Sequence, residues 1–218
     1  AIGDMNGDGF PDVVAACELS HLIYFENPGA GAVTERWERL IPEATKNRGS
    51  FIRVFLADLT QDGKLEVITP NKGAQNPTRE DPPRPISWFS IEGDPLDSDS
   101  WVEHELTSVP WPINSRPVDL DGDGDADVVA GSTTEQRIMW FENLGGGDFT
   151  EHRIEISGSA VPEERRRASD AGNPAAVNGF NMDFVDLSQD GRQDIILVES
   201  GNTFAWIEQP IDSSGLWM

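Results

Sequence analysis

The chain has little of what most functional classes need. A single cysteine, Cys17, among 218 residues excludes an intrachain disulfide and thiol-pair redox chemistry, and it reads as a small residue in a strand. Histidines number only three, and no zinc spacing, phosphate-cradling glycine loop or G-x-S-x-G nucleophile turn occurs. No apolar run reaches the ~18 residues that suggest a membrane span. Basic residues are scarce, 16 against 39 acidic for a formal charge of −23, which makes nucleic acid and anionic membranes poor partners. An N-x-S/T sequon is missing, since Asn76 is followed by Pro77. No signal peptide is legible, although the chain opens in mid-pattern at Ala1, where processing or truncation would leave it.

What the chain has in quantity is patterned aspartate. Its 37% apolar residues are enough to bury a core, so it is not disordered. Four times it writes a nine-residue loop of one form: DMNGDGFPD from Asp4, DLTQDGKLE from Asp58, DLDGDGDAD from Asp119 and DLSQDGRQD from Asp186. Oxygen side chains stand at positions 1, 3, 5 and 9 and glycine at position 6, an arrangement that suits a hard divalent cation. Calcium is the best candidate: it takes six to eight oxygen ligands, and the glycine lets the loop aim the position-7 carbonyl at the same point.

The candidate ligands are Asp4, Asn6, Asp8, Phe10 (carbonyl) and Asp12 in the first loop, and Asp58, Thr60, Asp62, Lys64 (carbonyl) and Glu66 in the second. In the third they are Asp119, Asp121, Asp123, Asp125 (carbonyl) and Asp127; in the fourth, Asp186, Ser188, Asp190, Arg192 (carbonyl) and Asp194. Up to four calcium ions are expected, with the loops at Asp4 and Asp119 best formed. Thr60 and Ser188 offer a neutral hydroxyl at position 3, and ligand charge tunes affinity. Four bound dications would move the charge from −23 to −15. Weak calcium loops fill only where calcium is near millimolar, which points to an extracellular or periplasmic setting.

The first aspartates fall 54, 61 and 67 residues apart, a period typical of propellers or solenoids with insertions. After each loop comes a β-branched run (DVVAA from Asp12, EVITP from Glu66, DVVAG from Asp127, DIILV from Asp194), bounded as a buried strand is. An aromatic strand follows (LIYFENP from Leu22, ISWFSI from Ile86, IMWFENL from Ile138, FAWIEQP from Phe204). A third segment opens on an aromatic residue at Trp37, Trp101 and Phe149, with LWM at Leu216 starting a fourth copy, and another strand precedes each loop, clearest in FIRVFLAD from Phe51. Four strands per repeat, a to d, predict an all-β fold: a β-propeller of four-stranded antiparallel blades, with repeats at roughly 1–50, 51–112, 113–179 and 180–218 of one domain. An EF-hand is excluded, because position 12 is Ala15, Thr69, Ala130 or Leu197 within a strand, where that fold needs a glutamate.

The loops, followed by VV strands and WFEN strands, resemble the FG-GAP/VCBS repeats of integrin-like calcium-binding β-propellers over essentially the whole chain. The resemblance implies that all four loops are metal sites, and that these four repeats are part of a longer ring, commonly seven-bladed in such proteins. A closed four-bladed ring stays open as an alternative.

Antiparallel blades put the a-to-b and c-to-d turns on one face and the other connections opposite. The insertions Pro42–Ser50, Asn71–Pro85, Thr107–Pro112 and Ser157–Gly179 all fall opposite the calcium loops; only Glu92–Ser100 lengthens the calcium side. Ten of the 16 basic residues (Lys46, Arg48, Lys72, Arg79, Arg84, Arg116, Arg137, Arg165, Arg166, Arg167) lie in or beside that insertion-bearing face, either as scattered counter-charges or as a site for an anionic ligand. Counted from the metal aspartates, Arg53, Asn114 and Asn181 share one position at the start of strand a, and Phe55, Arg116 and Asp183 share the next but one. These residues either tie blades together or face a central depression. Trp111, off the repeat register, is a sugar-stacking candidate or plain packing. Trp88, Trp140 and Trp206 recur in register as core, and His104 and His152 share one strand position. His21, in a b-to-c turn, is an ordinary turn residue or a general base.

Three functions compete. One is a calcium-stabilised extracellular propeller that binds carbohydrate, an anionic polysaccharide above all, or a protein partner, with Arg53, Lys72, Arg84, Trp111, Asn114, Arg116 and Asn181 as candidate ligand contacts. Another is a lyase cleaving next to a uronate by β-elimination, with Arg53, Arg84 or Arg116 neutralising the carboxylate and His21 as base. The last is an assembly subunit whose ring is completed by a second copy or by further blades.

Overall fold

A computed structural model describes residues 1–78, 80–135, 137–156, 179–199, 203–212 and 215–218. They form antiparallel sheets in tandem. Sheet I is β1 (Ile2–Gly3), β2 (Asp12–Ala16), β3 (Leu22–Glu26) and β4 (Glu38–Leu40), hydrogen-bonded in that order. Sheet II is β5 (Ser50–Phe51) and β6 (Phe55–Ala57) along one edge of β7 (Glu66–Gly73), then β8 (Arg84–Ile91) and β9 (Trp101–Val109). Sheet III is β10 (Pro112–Val118), β11 (Asp127–Ser132), β12 (Arg137–Asn143) and β13 (Phe149–Arg153). After the short β14 (Glu155–Ile156), sheet IV is β15 (Asn181–Val185), β16 (Asp194–Glu199) and β17 (Thr203–Ile207). The final β18 (Leu216–Trp217) pairs in parallel with β14. Just past β17, Glu208 and Met218 exchange backbone hydrogen bonds of 2.6 and 3.2 Å, so the C-terminal LWM takes the fourth position of sheet IV, as the repeat pattern predicts.

Period-two alternation decides how the sheets stack. Val128, Ala130, Met139 and Phe141 point to sheet II and join Leu59, Ile68, Ile86 and Trp88 in one buried cluster. The residues between them, Val129, Ile138 and Trp140, point the other way and join Met182, Ile195, Ile207 and Trp217 of the last repeat. A third cluster, including Val14, Tyr24, Phe89 and Trp101, sits between sheets I and II. Each core therefore lies between consecutive sheets, and a sheet with neighbours on both sides is buried on both faces. That is why the strands following the loops read as continuous apolar runs.

The recurring histidines are structural. Trp88 and His104 are cross-strand partners whose rings stack 3.9 Å apart at 12°, and Trp140 and His152 stack at 4.5 Å and 29°. Cross-strand aromatic pairs of this kind stabilise a sheet by about 0.2–1 kcal/mol each.

Three expectations need correction. Trp206 is in register with Trp88 and Trp140 yet 44% exposed, because no described sheet follows sheet IV to cover it. The predicted strand from Phe51 is broken into β5 and β6, and Arg53 falls in the break; the Thr69 hydroxyl donates to the Arg53 carbonyl at 2.6 Å in place of a ladder bond. Thr107–Pro112 is no insertion: β9 and β10 extend almost together, leaving a link at Pro110 and Trp111, and Trp111 has φ of 51°. Such a left-handed conformation is uncommon for a bulky residue. The insertion at 157–178 lies outside the described residues.

Side-chain amides clamp the sheets together. Asn143, at the end of β12, donates at 2.8 Å to the Leu59 carbonyl in the loop of sheet II and at 3.0 Å to the Ala126 carbonyl of its own. Gln209 makes the same reach to the Leu120 carbonyl at 3.0 Å. In sheet II the corresponding residue is Ile91, which packs instead in the cluster containing Met5. Asn143→Ala leaves buried carbonyls unpaired and should cost about 1–3 kcal/mol, a fall in melting temperature of about 2–4 °C per kcal/mol at this chain length. Asn27→Ala should cost less in the same thermal melt, because among the described residues the Asn27 amide bonds only within its own sheet, to the Pro11 carbonyl and the Gly29 N–H.

Candidate metal loops and an inner arginine cluster

All four loops fold on one hydrogen-bond skeleton. The first aspartate gathers loop N–H groups: Asp4 accepts from Gly7, Asp8 and Gly9 at 2.8, 3.2 and 2.8 Å, and Asp119 from Gly122 and Gly124 at 2.8 and 3.1 Å. Asp58 accepts from Asp62 and Gly63 at 3.1 and 2.9 Å, and Asp186 from Asp190 and Gly191 at 3.0 and 2.9 Å. Position 5 accepts from the position-7 N–H in every loop, at 2.8 to 3.0 Å. Position 4 adopts positive φ throughout. Gly7 and Gly122 do so freely, but Gln61 (59°) and Gln189 (63°) carry a side chain into the left-handed region, at a cost of about 1–2 kcal/mol. The sequence pattern, keyed to the glycine at position 6, missed this.

The ninth position behaves differently from the rest. Asp12, Glu66, Asp127 and Asp194 are all buried. One oxygen of Asp127 accepts the Leu120 N–H at 3.0 Å and the other accepts the Asn143 N–H at 2.8 Å; Asp12 and Asp194 repeat this with Met5 and Asn27, and with Leu187 and Gln209. Burial, reinforced by the neighbouring carboxylates, pushes Asp125 up to about 6. Burial also takes Asp127 to about 6, against the pull of its backbone donors. Asp121 and Glu66 are raised for the same first reason. For Asp194, burial is outweighed by the Gln209, Ser188 and Leu187 N–H groups, and its pKa falls below the ordinary value.

The donor set fits a divalent cation. Carboxylate oxygens of Asp119, Asp121 and Asp123 lie within 4.8 Å of one another. Two further loop atoms, Asp125 Oδ1 and Ser188 Oγ, are buried without a hydrogen-bond partner, and orphaned oxygens at such positions ask for an ion or water. The Asp58 and Asp186 loops also supply partners to some of their own oxygens. Thr60 Oγ1 lies 3.4 Å from Glu66, Lys64 lies 3.7 Å from Asp62, and Arg192 pairs with Asp190.

At the opposite ends of the inner strands, the residues aligned as Arg53, Arg116, Asn181 and Asp183 come together. Arg53 donates to Asn181 at 3.1 Å and lies 5.0 Å over the Phe180 ring. Arg116 donates to the Met182 carbonyl at 2.7 Å, pairs with Asp183 at 3.1 Å, and lies 5.5 and 5.9 Å from the Phe55 and Phe184 rings. Asn114 is buried and donates to the Gly179 and Phe180 carbonyls, a tie between repeats. Burial, then the neighbouring Arg116 charge, lowers the pKa of Arg53. The aromatic walls at Phe180 and Phe184 were not legible beforehand.

Other candidates do not join this cluster. Lys72 pairs with Glu18, Lys46 with Glu43, Arg48 with Glu103, and Arg137 with Glu135 and Glu151, so most of the described positive charge on this face is neutralised. Arg84 stands against Gly73, with no ion pair among the described residues. His21 contacts the Ser20 hydroxyl through its ring and Cys17 through its backbone, not an arginine. Arg79 and Arg165–Arg167 lie outside the described residues. Two cavities among the described residues, of about 440 and 450 Å³, share Trp88 and His104 and lie away from the arginines; the second is lined by Thr60, Asp62, Lys64 and Glu66 of the Asp58 loop.

Comparison with known families decides the class. A model of the FG-GAP-like repeat matches residues 4–69 and 119–197, stretches that contain all four loops and well over half the chain. The chain belongs to the FG-GAP-like repeat family. No curated protein matches it significantly. FG-GAP-like repeats often bind calcium, and here Asp119, Asp121 and Asp123 with the Asp125 carbonyl would hold one ion, the other loops holding theirs through the equivalent positions.

Calcium at hundred-fold excess over Kd adds about 2.7 kcal/mol per filled loop, so chelation should lower the melting temperature, most of all through the Asp119 loop. The pH sense follows from Asp125 and Asp127. A carboxyl raised from 3.8 to about 6 on folding contributes stability that is fully present below 3.8 and lost as pH rises through about 6. Metal-free protein should therefore melt higher at pH 5 than at pH 7, while the calcium-induced gain should be larger at pH 7; a pair of melts with and without chelator at each pH checks both. Gln189→Gly should stabilise its loop by about 1 kcal/mol by relieving the left-handed strain.

Proposed function

We propose that the chain forms part of a calcium-stabilised extracellular β-propeller that binds an anionic carbohydrate, its carboxylate held by Arg53 and Arg116 on the face opposite the calcium loops. The propeller reading rests on family membership together with four-stranded antiparallel sheets that bury cores between successive neighbours. The observation that carries the ligand reading is the convergence of two arginines, Arg116 standing close enough to disfavour the charge on Arg53, in a chain of net charge −23. Gathering like charges is unfavourable unless an anion balances them. Asp183 balances one arginine, and its side chain is 71% exposed, so a ligand carboxylate can replace it at little cost. Guanidinium forks match planar carboxylates with two parallel hydrogen bonds, and the calcium loops fix the strand that carries Arg116 and the one that follows Arg53.

A binding role is better supported than β-elimination. That reaction needs a base beside the neutralising arginine, and the contacts of His21 are with Ser20 and Cys17. Titration calorimetry with a uronate oligosaccharide and its carboxyl-reduced analogue tests the reading. The acidic sugar should bind and the neutral one should not, and Arg53→Gln or Arg116→Gln should each weaken binding by about 1.5–3 kcal/mol, the value of a hydrogen bond to a charged group. Unchanged affinity in both variants would sink the proposal, and release of an unsaturated uronate would turn it into the lyase.

A further inference from the structure

The residue at position 7 of each loop decides what meets the aspartate at position 5. One oxygen of that aspartate accepts the position-7 N–H in all four loops: Asp8 from Phe10, Asp62 from Lys64, Asp123 from Asp125 and Asp190 from Arg192. The other oxygen meets a donor in three of them. Asp8 Oδ2 accepts from the Asn6 amide at 3.3 Å, Asp62 Oδ2 faces Lys64 Nζ at 3.7 Å, and Asp190 Oδ2 pairs with the Arg192 guanidinium. In the Asp119 loop no side-chain donor reaches Asp123 Oδ2 among the described residues, because position 7 is itself an aspartate.

Asp125 thus puts a second carboxyl where two other loops put a cation. It is only 9% exposed, its carboxyl lies against that of Asp123, and its Oδ1 has no hydrogen-bond partner. Two ionised carboxylates have no proton to share, and holding them side by side out of water is unfavourable unless a cation joins them. The ion expected at the loop centre does not meet this need. It takes the backbone carbonyl from position 7 and leaves the side chain there outside its ligand set.

The Asp186 loop shows where the missing charge belongs. Its Arg192 touches the Asp190 carboxylate and, through Nε at 3.3 Å, the Gln209 carbonyl at the end of the third strand. Asn143 holds the place of Gln209 in the third repeat, since each gives its N–H to the ninth-position carboxylate of its own loop. By that equivalence, oxygens of Asp123, Asp125 and Asn143 surround the place that a guanidinium fills in the next repeat. A set made of oxygens alone suits a hard divalent cation.

We propose that the Asp119 loop holds a second cation, a calcium ion, between the carboxylates of Asp123 and Asp125 and beside the ion at the loop centre. Asp123 serves both ions, as the several lone pairs of a carboxylate allow. Lys64 and Arg192 are the tethered counterparts of this ion in their own loops. The Asp4 loop has neither, because Phe10 at position 7 stands against Gly29 and brings no charge to balance.

The test counts calcium bound per chain by equilibrium dialysis at about millimolar free calcium, where weak extracellular sites fill. Asp125→Arg, which copies the Asp186 loop, should bind one ion fewer than wild type and keep its calcium-dependent melting, since the position-7 carbonyl remains. Lys64→Asp, which copies the Asp119 loop, should bind one ion more, and it decides the matter if Asp125→Arg does not fold. A count unchanged by Asp125→Arg, or by Lys64→Asp in that case, means that water or a proton fills the gap and overturns the proposal. The inference rests on the loops binding calcium at all: a wild type with none bound fails both readings, whereas an unchanged count with calcium bound fails the second ion alone.

Discussion

Everything in this fold hangs from the buried carboxylate that ends each loop. Asp127 takes one N–H from the start of its loop and another from Asn143, the last residue of the third strand. A single side chain thereby fixes the loop, the strand it begins and the end of the strand beside it. The side chain of the same Asn143 then passes to the loop of the preceding sheet. Two hydrogen-bonded links carry position between sheets II and III, and again between III and IV, whereas sheets I and II meet through the apolar cluster that holds Ile91. Removing such a carboxylate strands two buried N–H groups, which costs more than any one apolar contact it supports.

Much of this was written in the sequence, because the determinants are local and repeated. An aspartate loop followed by a β-branched run and an aromatic strand predicts the order of strands, and four copies in register leave little room for another all-β arrangement. What periodicity cannot give is the identity of a neighbour. Trp206 carries the same local signal as Trp140, and only the presence of a following sheet separates 44% exposure from 2%. Arg53 likewise read as a strand residue, yet Thr69 captures its carbonyl and opens the strand there. The alignment of Arg53 with Asn181 was legible, and their contact at 3.1 Å depends on a tertiary approach between repeats that no local rule contains.

The two kinds of site divide the electrostatic problem. On the loop side, carboxylates are crowded and suit a cation; at the other ends of the same strands, two arginines approach each other and one of them, Arg116, pairs with the exposed Asp183. The arginines lie away from the two described cavities, one of which is instead lined by Thr60, Asp62, Lys64 and Glu66 of the Asp58 loop. For the anion, enclosed volume and chemical need point to different places. The need is the better guide, because desolvated like charges carry a cost that an empty groove does not.

The loops themselves fall into two alternating kinds. Those at Asp4 and Asp119 combine Asn or Asp at position 3 with glycine at position 4 and no basic residue at position 7. Those at Asp58 and Asp186 substitute a hydroxyl at position 3, accept a strained glutamine at position 4, and carry Lys64 or Arg192 at position 7, each paired with its own position-5 aspartate. The second kind brings a cation of its own and so depends less on a bound metal. The first kind has no internal counter-charge, and in the Asp119 loop aspartates fill positions 1, 3, 5, 7 and 9, the arrangement in which mutual repulsion is worst without an ion. Because the Leu120 carbonyl of that loop is the anchor for Gln209, loosening it releases the clamp between sheets III and IV. A metal bound in the Asp119 loop would therefore act on the joint between sheets III and IV as well as on the loop itself.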